Sequence, residues 1–310
     1  MNRRDFIKSA VPMMGAACLA GTGAAAEAPK VTPKGKREFH SFSRVFQFLG
    51  IEKAAELLRE CGYDGVEWTV RKKGFVEPSD ARNMLPRAMA AARANGLRAQ
   101  TIVVEFLDPF EGDNLDLLKV AADNGVEAFR TGYFKYDGAL TVQENLSKIR
   151  SGFAALDKAA RQTGLRFVYQ NHSTYNRKVP LFGSLVWDLW EVIREFDPRY
   201  VGVQYDVMHA QAESGPSWQR GLELVAPWIA TLCLKDFCFE MSTRYPGDWQ
   251  RKLLPAGEGI VPWDEFQTLC RKYNVNVPYS IHYDYKFPED RAGAAACAKK
   301  DIDFFRQRLG

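Results

Sequence analysis

An apolar run typical of a β-strand alternates with a helical pattern eight times along this 310-residue chain. Helical segments such as residues 51–58 place their apolar side chains on one face. Eight such units predict a single (β/α)8 TIM barrel over residues 37–310. An open doubly wound sheet is the alternative, and the lack of a glycine-rich phosphate loop after any run disfavours it. The runs begin near Glu38, Gly65, Arg98, Val126, Arg166, Tyr200, Ile229 and Val277.

Glycines at the ends of the helical segments support this division. Glycine adopts the left-handed conformation at low cost and therefore commonly ends helices. The four glycines in question are Gly62, Gly96, Gly125 and Gly164.

The first residues have the features of an export signal. Arg3 and Arg4 precede a mildly apolar stretch rich in alanine and glycine. This order predicts a twin-arginine signal peptide over residues 1–26, followed by a linker over residues 27–36. The stretch is too weakly apolar to anchor the protein in a membrane. We therefore expect a mature protein that is exported to the periplasm without a stable membrane anchor.

Composition narrows the range of partners. The chain has 42 Lys and Arg against 38 Asp and Glu, a formal net charge of +4. That balance, with no basic run interleaved with aromatic residues, predicts no nucleic-acid partner. The six cysteines have a spacing that suits neither a zinc finger nor a disulfide scaffold. An apolar stripe over residues 185–193 is expected either to pack in the core or to form a homo-oligomer contact.

Four histidines occur in the chain, and each lies at or just past the end of a short apolar run. In a parallel barrel the carboxyl ends of all strands meet at one mouth, so residues far apart in sequence come together there. Carboxylates, amides and a lysine flank these imidazoles. The sequence therefore predicts a functional site at the mouth of the barrel. The histidines are His40, His172, His209 and His282.

Several flanking residues suggest particular roles. Lys235 ends an apolar run, where a buried ammonium is costly unless it is paired or functional. It is expected either to stabilise an enolate oxygen or to pair with the neighbouring Asp236. Glu67 is a candidate acid or base, and a structural salt bridge to Arg130 is its alternative. The candidates for substrate contact are His40, Glu105, Arg130, Asn171, His172 and Trp249.

In their order along the chain, five motifs resemble the xylose-isomerase-like TIM-barrel superfamily, specifically its sugar phosphate isomerase/epimerase branch. The resemblance covers nearly the whole chain after the signal peptide. The motifs are Gly62-Tyr63-Asp64-Gly65-Val66-Glu67, Gln170-Asn171-His172, Tyr205-Asp206-Val207-Met208-His209, Leu234-Lys235-Asp236 and Gly257-Glu258-Gly259.

The resemblance also implies a divalent metal. Members usually hold one such ion with a Glu, an Asp, a His and a Glu from the ends of strands five to eight. This chain has Gln170, Asp206, Cys233 and His282 at those positions, so only the aspartate is kept. Gln170, Asp206 and His282 form a mixed oxygen and nitrogen set that manganese, zinc or iron accepts. Because an amide is no general base at neutral pH, a symmetric epimerisation between two carboxylates is not expected.

The function implied by this resemblance is that of an exported sugar isomerase or epimerase. A metal or Lys235 would polarise a sugar carbonyl, while Glu67 or His282 moves the adjacent proton and His209 holds substrate hydroxyls. The longest connection, residues 237–259, would supply an aromatic lid over a sugar ring or pack on the body of the barrel. Two other functions stay open: a lyase or dehydratase that uses the same enolate, and a carbohydrate-binding barrel without catalysis.

Overall fold

The computed structural model describes residues 37–174, 180–243, 247 and 249–310. The expected signal peptide and linker lie outside these residues. Eight parallel strands close into a barrel, and their order around it follows the chain, which confirms the predicted (β/α)8 fold. The strands are β1 (Phe39–Phe42), β2 (Gly65–Thr69), β3 (Thr101–Val103), β4 (Ala128–Arg130), β5 (Arg166–Gln170), β6 (Val201–Asp206), β7 (Ile229–Leu234) and, after an inserted hairpin, β10 (Tyr279–Ile281).

Helices surround the barrel and cover the outward-facing side chains of its strands. They are α1 (Ile51–Cys61), α2 (Ala81–Ala94), α3 (Asn114–Asp123), α4 (Val142–Thr163), α5 (Val186–Ile193), α6 (Val207–Ser214), α7 (Trp218–Val225), α8 (Trp263–Lys272) and α9 (Arg291–Leu309). None of the helices in the described ranges combines the length and the apolar character needed to cross a bilayer.

Local sequence signals explain where these helices begin and end. Thr141 and Glu144 form a capping box that satisfies free backbone amides at the start of α4. Gly62 and Gly164 follow α1 and α4 with φ of 94° and 70°, the left-handed conformation that glycine adopts without a Cβ clash. The predicted helix stops at these two positions are confirmed.

Alternation along β5 shows how the strands position a site. Phe167 and Tyr169 face the helices and belong to the hydrophobic core. Val168 and Gln170 face the barrel interior, Val168 towards its amino-terminal end and Gln170 towards the opposite mouth. Because every strand is parallel, the last inward residue of each one reaches the same mouth.

An antiparallel hairpin interrupts the regular alternation after β7. It consists of β8 (Asp236–Met241) and β9 (Trp249–Leu254), and it occupies most of the long connection noted in the sequence. Phe237 is fully buried at its base. The sequence predicts a loop at this position, whereas the structure has a two-stranded arm beside the mouth.

Candidate active site

A cavity of about 520 Å³ opens at the carboxyl ends of the barrel strands. A cavity of this size suits a small molecule. Seven residues singled out from the sequence line it: Glu105, Arg130, Gln170, His172, His209, Lys235 and His282. The lining residues that were not anticipated include Arg44, Arg71, Tyr133, Arg251 and Asp284.

Lys235 contacts three polar or charged groups in the cavity. Its Nζ lies 2.7 Å from Oδ2 of Asp284, 3.0 Å from Oδ2 of Asp206 and 2.8 Å from Nε2 of His209. Burial alone lowers the pKa of Lys235, but the two carboxylates outweigh it and hold the pKa above its ordinary value. The side chain is therefore an ammonium ion held at a fixed position.

His209 lies on α6, directly after β6, and its tautomer follows from its partners. Lys235 donates to Nε2, so Nδ1 carries the proton and donates to Oγ of Ser173 at 2.8 Å. Burial and then the Lys235 ammonium place the pKa of His209 well below its ordinary value. The neutral ring is oriented by protein groups at both nitrogens.

His172 and His282 flank the same cavity. Nδ1 of His172 lies 2.8 Å from the carbonyl oxygen of Ser173, so this nitrogen carries the proton. Burial, reinforced by Lys235, lowers the pKa of His172 to about 3. The ring of His282 stacks on Phe42 with centroids 4.6 Å apart, and burial places its pKa well below the ordinary value. Both imidazoles are neutral at physiological pH, the protonation state that a general base requires.

Gln170 is held at both ends of its amide. Its Nε2 donates to Oδ2 of Asp206 at 2.9 Å, while its Oε1 accepts from Nη1 of Arg130 at 2.7 Å and from the hydroxyl of Tyr133 at 2.6 Å. The amide oxygen is thus turned away from Asp206. Gln170 links the carboxylate to the arginine side of the cavity.

The side chains do not fit the divalent cation that the sequence suggests. The Asp206 carboxylate faces the Gln170 amide and the Lys235 ammonium, both of them hydrogen-bond donors. Nε2 of His282 faces Oγ of Ser280 at 3.1 Å. Burial raises the pKa of the Cys233 thiol well above its ordinary value, which disfavours the thiolate that a metal binds. Among the described residues no group of three or more His, Cys, Asp or Glu is placed to hold a metal.

His40 and Glu67 are not brought to the mouth. They line a second cavity at the opposite end of the barrel, where strands begin. His40 is the second residue of β1, and its Nε2 lies 3.1 Å from Glu38. Its ring packs so closely on Gly65 that a Cβ there would lie 2.5 Å from it. Glu67 is in the middle of β2 and accepts from Gln204 at 3.3 Å. Both point inwards, but below the level of the mouth.

Asn171 positions Asp206 instead of lining the cavity. Its Nδ2 donates to the Asp206 carbonyl at 3.0 Å, and its Oδ1 accepts from the Asp206 amide at 2.7 Å. The side chain is fully buried. It ties the end of β5 to the end of β6, and Asp206 then caps α6 by accepting from the His209 amide.

Asp236 has a structural role of the same kind. Its carboxylate accepts from the backbone amides of Phe237, Gly257 and Val261. A Cβ at Gly259 would lie 2.0 Å from Oδ1 of Asp236, so this turn requires glycine. Lys235 pairs with Asp206 and Asp284, and the alternative of a Lys235–Asp236 pair is wrong.

Trp249 lies on the hairpin outside the cavity, with 62% of its surface exposed. The register pairs Trp249 with Met241 and Arg251 with Phe239. Side chains along a strand point alternately to its two faces, so Trp249 and Arg251, two residues apart, lie on the same face. Arg251 lines the cavity. The hairpin therefore extends the cavity wall outwards with an apolar edge.

Comparison with known proteins agrees with this fold. Residues 55–308 match the family described as xylose isomerase-like TIM barrel. No curated protein sequence matches the chain significantly.

Three solved structures share the fold at low identity. A D-psicose 3-epimerase with D-tagatose from Clostridium cellulolyticum H10 is 13% identical, with a TM-score of 0.66 and coverage of 88% of this chain and 99% of that one. The probable 3-DHS dehydratase from Bacillus anthracis is 17% identical, with a TM-score of 0.62 and coverage of 87% and 99%. A xylose isomerase-like TIM barrel protein from Mycobacterium smegmatis in complex with magnesium is 14% identical, with a TM-score of 0.61 and coverage of 89% and 98%.

A closed parallel barrel with a cavity at its carboxyl mouth defines a TIM-barrel protein, and the size of the cavity suits a small molecule. Because the family match covers most of the sequence, the chain belongs to the xylose isomerase-like TIM barrel family.

Proposed function

We propose that this protein is a sugar-modifying enzyme that removes a proton from the carbon next to a sugar carbonyl. One observation carries the proposal: a buried ammonium, Lys235, is fixed in the same cavity as two neutral imidazoles, His172 and His282. A fixed cation stabilises negative charge that develops in the transition state, and a neutral imidazole accepts a proton.

The proposed reaction begins when the sugar carbonyl oxygen replaces Nε2 of His209 as an acceptor of the Lys235 ammonium, which stays paired with Asp206 and Asp284. His282 takes the proton as the C–H bond breaks, and the bonding electrons move to the oxygen to give an enolate. Return of that proton to the former carbonyl carbon, while the proton of the adjacent hydroxyl passes to the enolate oxygen, gives the isomeric sugar. The Asp206 and Asp284 carboxylates hold Lys235 in place, so no reorganisation is needed when the charge develops.

The comparisons support this class of chemistry. A D-psicose 3-epimerase and a probable dehydratase have the same fold. A small-molecule carbohydrate is accordingly the proposed substrate, and the charged and amide side chains that line the cavity suit its hydroxyl groups.

Elimination is the second candidate. Gln170 and His282 stand where the resemblance leads us to expect two glutamates, so the site lacks a symmetric carboxylate pair. An asymmetric site favours a reaction in which the enolate expels a leaving group at the next carbon, and the proton that His282 has taken from the substrate passes to that group. The proton goes to the leaving group, and the electron pair forms a carbon–carbon double bond.

A screen in deuterated water tests both reactions. We would incubate the protein with ketoses, aldoses, keto-glycosides and their acidic forms, and follow each sugar by NMR. Incorporated deuterium indicates proton removal and return, whereas a lost substituent indicates elimination. Lys235→Met and His282→Asn should each abolish the signal, and Lys119→Met on exposed α3 should keep it. Sugar binding without deuterium incorporation or elimination across the panel would overturn catalysis and indicate a binding protein.

We also propose that the protein is exported by the twin-arginine route, on the strength of Arg3 and Arg4. Replacing both by lysine keeps the charge and should leave the precursor in the cytoplasm.

A homo-oligomer through α5 is a further proposal, since Trp187 and Leu185 expose about half of their surface. Light scattering of the wild type and Trp187→Ser tests it.

A further inference from the structure

Positive charge is unevenly distributed around the cavity. Lys235 is balanced by Asp206 and Asp284. On the other side Arg44 follows β1, Arg71 follows β2 and Arg130 ends β4, and all three line the cavity. We call these three residues the arginine wall.

Arg130 forms the buried base of the arginine wall. It is 4% exposed, and its guanidinium lies 5.0 Å from the centre of the Phe42 ring. Nη1 donates to Gln170 and, at 3.1 Å, to the hydroxyl of Tyr133, both of them neutral. Its Nε has no hydrogen-bond partner among the described residues. The charge of Arg130 is therefore held in place without a directly bonded carboxylate.

Arg71 and Arg44 add to this charge. Arg71 is 3.3 Å from Glu105, the single carboxylate that an ion pair links to the wall within the described ranges. Burial lowers the pKa of Arg71, and the neighbouring Arg130 and Arg44 lower it further, against the effect of Glu105. The three guanidinium groups repel one another, and the carboxylates that act on them are the exposed Glu105, which pairs with Arg71, and the buried Glu67, whose charge acts on Arg130. An anionic ligand would reduce this repulsion on the cavity side.

We infer that the arginine wall binds an anionic group of the substrate, a carboxylate or a phosphate. Guanidinium groups present paired donors that match both anions. The inference rests on the proposed function for the sugar portion of that substrate. The substrate class is accordingly a sugar acid or a sugar phosphate.

Phe42 places the anion site next to the reacting groups. The same ring stacks on His282 and contacts Arg130. The arginine wall and the pair of Lys235 and His282 are therefore close enough to hold one small sugar, with its anionic group on the wall and its carbonyl at Lys235. Binding energy from the anionic group would then orient the reacting carbon.

Matched ligands test the inference by isothermal titration calorimetry. The probes are D-glucose, D-glucuronate, D-glucose 6-phosphate and inorganic phosphate, each with wild type, Arg71→Gln and Arg44→Gln. The control is Arg82→Gln on exposed α2, since Arg82 also pairs with one exposed carboxylate, at 3.8 Å, but lies outside the cavity. Melting temperatures check that each variant folds. Arg44 and Arg71 both belong to connections outside the barrel core, so their substitution should leave the fold intact.

We expect at least one anionic probe to bind tenfold or more tightly than D-glucose, with affinity falling as salt rises. Arg71→Gln should lower that affinity about tenfold and leave glucose binding and Arg82→Gln unchanged. Whichever of D-glucuronate and D-glucose 6-phosphate binds more tightly shows whether the site prefers a carboxylate or a phosphate. Equal binding of neutral and anionic probes, no binding of any probe, or equal loss in Arg82→Gln would overturn the inference. Because these measurements need no turnover, an anion site survives even where the deuterium screen shows no catalysis.

Discussion

The ammonium of Lys235 lies 3.0 Å from the Asp206 carboxylate, the one ligand position of the family's metal site that this chain keeps. A permanent single charge thus stands beside the carboxylate where a divalent ion is expected from the resemblance. The change matches the replacements around it, because Gln170 and Cys233 remove the negative charge and the imidazole that would have bound a metal.

Lys235→Met tests the role of this ammonium. It removes the cation proposed to stabilise the enolate, and loss of one such group commonly lowers kcat by about 10²–10³-fold. It also leaves Asp206 and Asp284 without a counterion, which should lower the free energy of unfolding by about 3–5 kcal/mol. Urea denaturation and NMR assays of turnover measure the two effects.

The double variant Lys235→Met/Asp284→Asn separates stability from chemistry. It relieves the repulsion between the two carboxylates, so the free energy of unfolding should recover in part while turnover stays at the level of the single variant. Recovery of turnover together with stability would show that Lys235 acts only by holding the fold.

Because the side chains around Asp206 do not fit a divalent cation, we expect the purified protein to contain little metal. Wild type, expressed with manganese, zinc and iron and then dialysed, should carry far less than one equivalent of any of them by mass spectrometry. A variant with Gln170→Glu, Cys233→His, Lys235→Met and His282→Glu rebuilds the ligand set implied by the family resemblance and should gain one equivalent. One equivalent of metal that stays bound to the wild type through dialysis would contradict the conclusion that these side chains do not form a metal site.

The barrel was predictable because its signals are local. Apolar runs, amphipathic segments and glycine stops recur within each unit, and the inward phase of a strand fixes which residues reach the mouth. Lys235 and His282 were found because each ends an apolar run, and Gln170 was found through the motif that carries the family resemblance. His40 was misplaced because a short run such as β1 does not reveal which of its ends a residue occupies.

The cavity residues that the sequence did not predict lie outside the regular strands and helices of the barrel. Arg44, Arg71 and Arg251 lie in connections or in the hairpin, and tertiary contacts set their positions. The partner of Lys235 illustrates a different error. Asp236 is adjacent in sequence, but consecutive side chains of an extended chain point in opposite directions. The partners of Lys235 are instead Asp206 at the end of β6 and Asp284 after β10.

A buried carboxylate away from the mouth makes stability depend on pH. Asp301 on α9 is 2% exposed, and burial raises its pKa to about 6 although Tyr285 and the Ala256 amide donate to it. The folded state therefore holds this proton more tightly than the unfolded chain. Its contribution is full below about pH 4 and is lost as pH rises through about 6.

Asp301→Asn should remove this dependence. Two units of pKa correspond to about 3 kcal/mol, so the substitution should cost that much more free energy of unfolding at pH 4 than at pH 7. Urea titrations of both proteins at the two pH values measure the difference. A cost that is the same at both pH values would show that Asp301 titrates normally.

Gly65 tests the packing at the end of the barrel where the strands begin. A Cβ there would lie 2.5 Å from the ring of His40 and 2.6 Å from the carbonyl oxygen of Arg98. Neither group can move freely, since His40 is buried against Glu38 and the Arg98 carbonyl accepts from the Val66 amide. Gly65→Ala should therefore lower the free energy of unfolding by about 2–3 kcal/mol.

Gly138→Ala is the matched control, because a Cβ at that position meets nothing within 4 Å. It should change the free energy of unfolding by less than about 0.5 kcal/mol. Denaturant titration compares the two variants, and Gly65→Ala/His40→Ala should recover part of the loss by removing the ring. Equal stability of Gly65→Ala and Gly138→Ala would mean that the His40 ring does not pack on β2 as described, which would contradict the position of His40 at the amino-terminal end of the barrel.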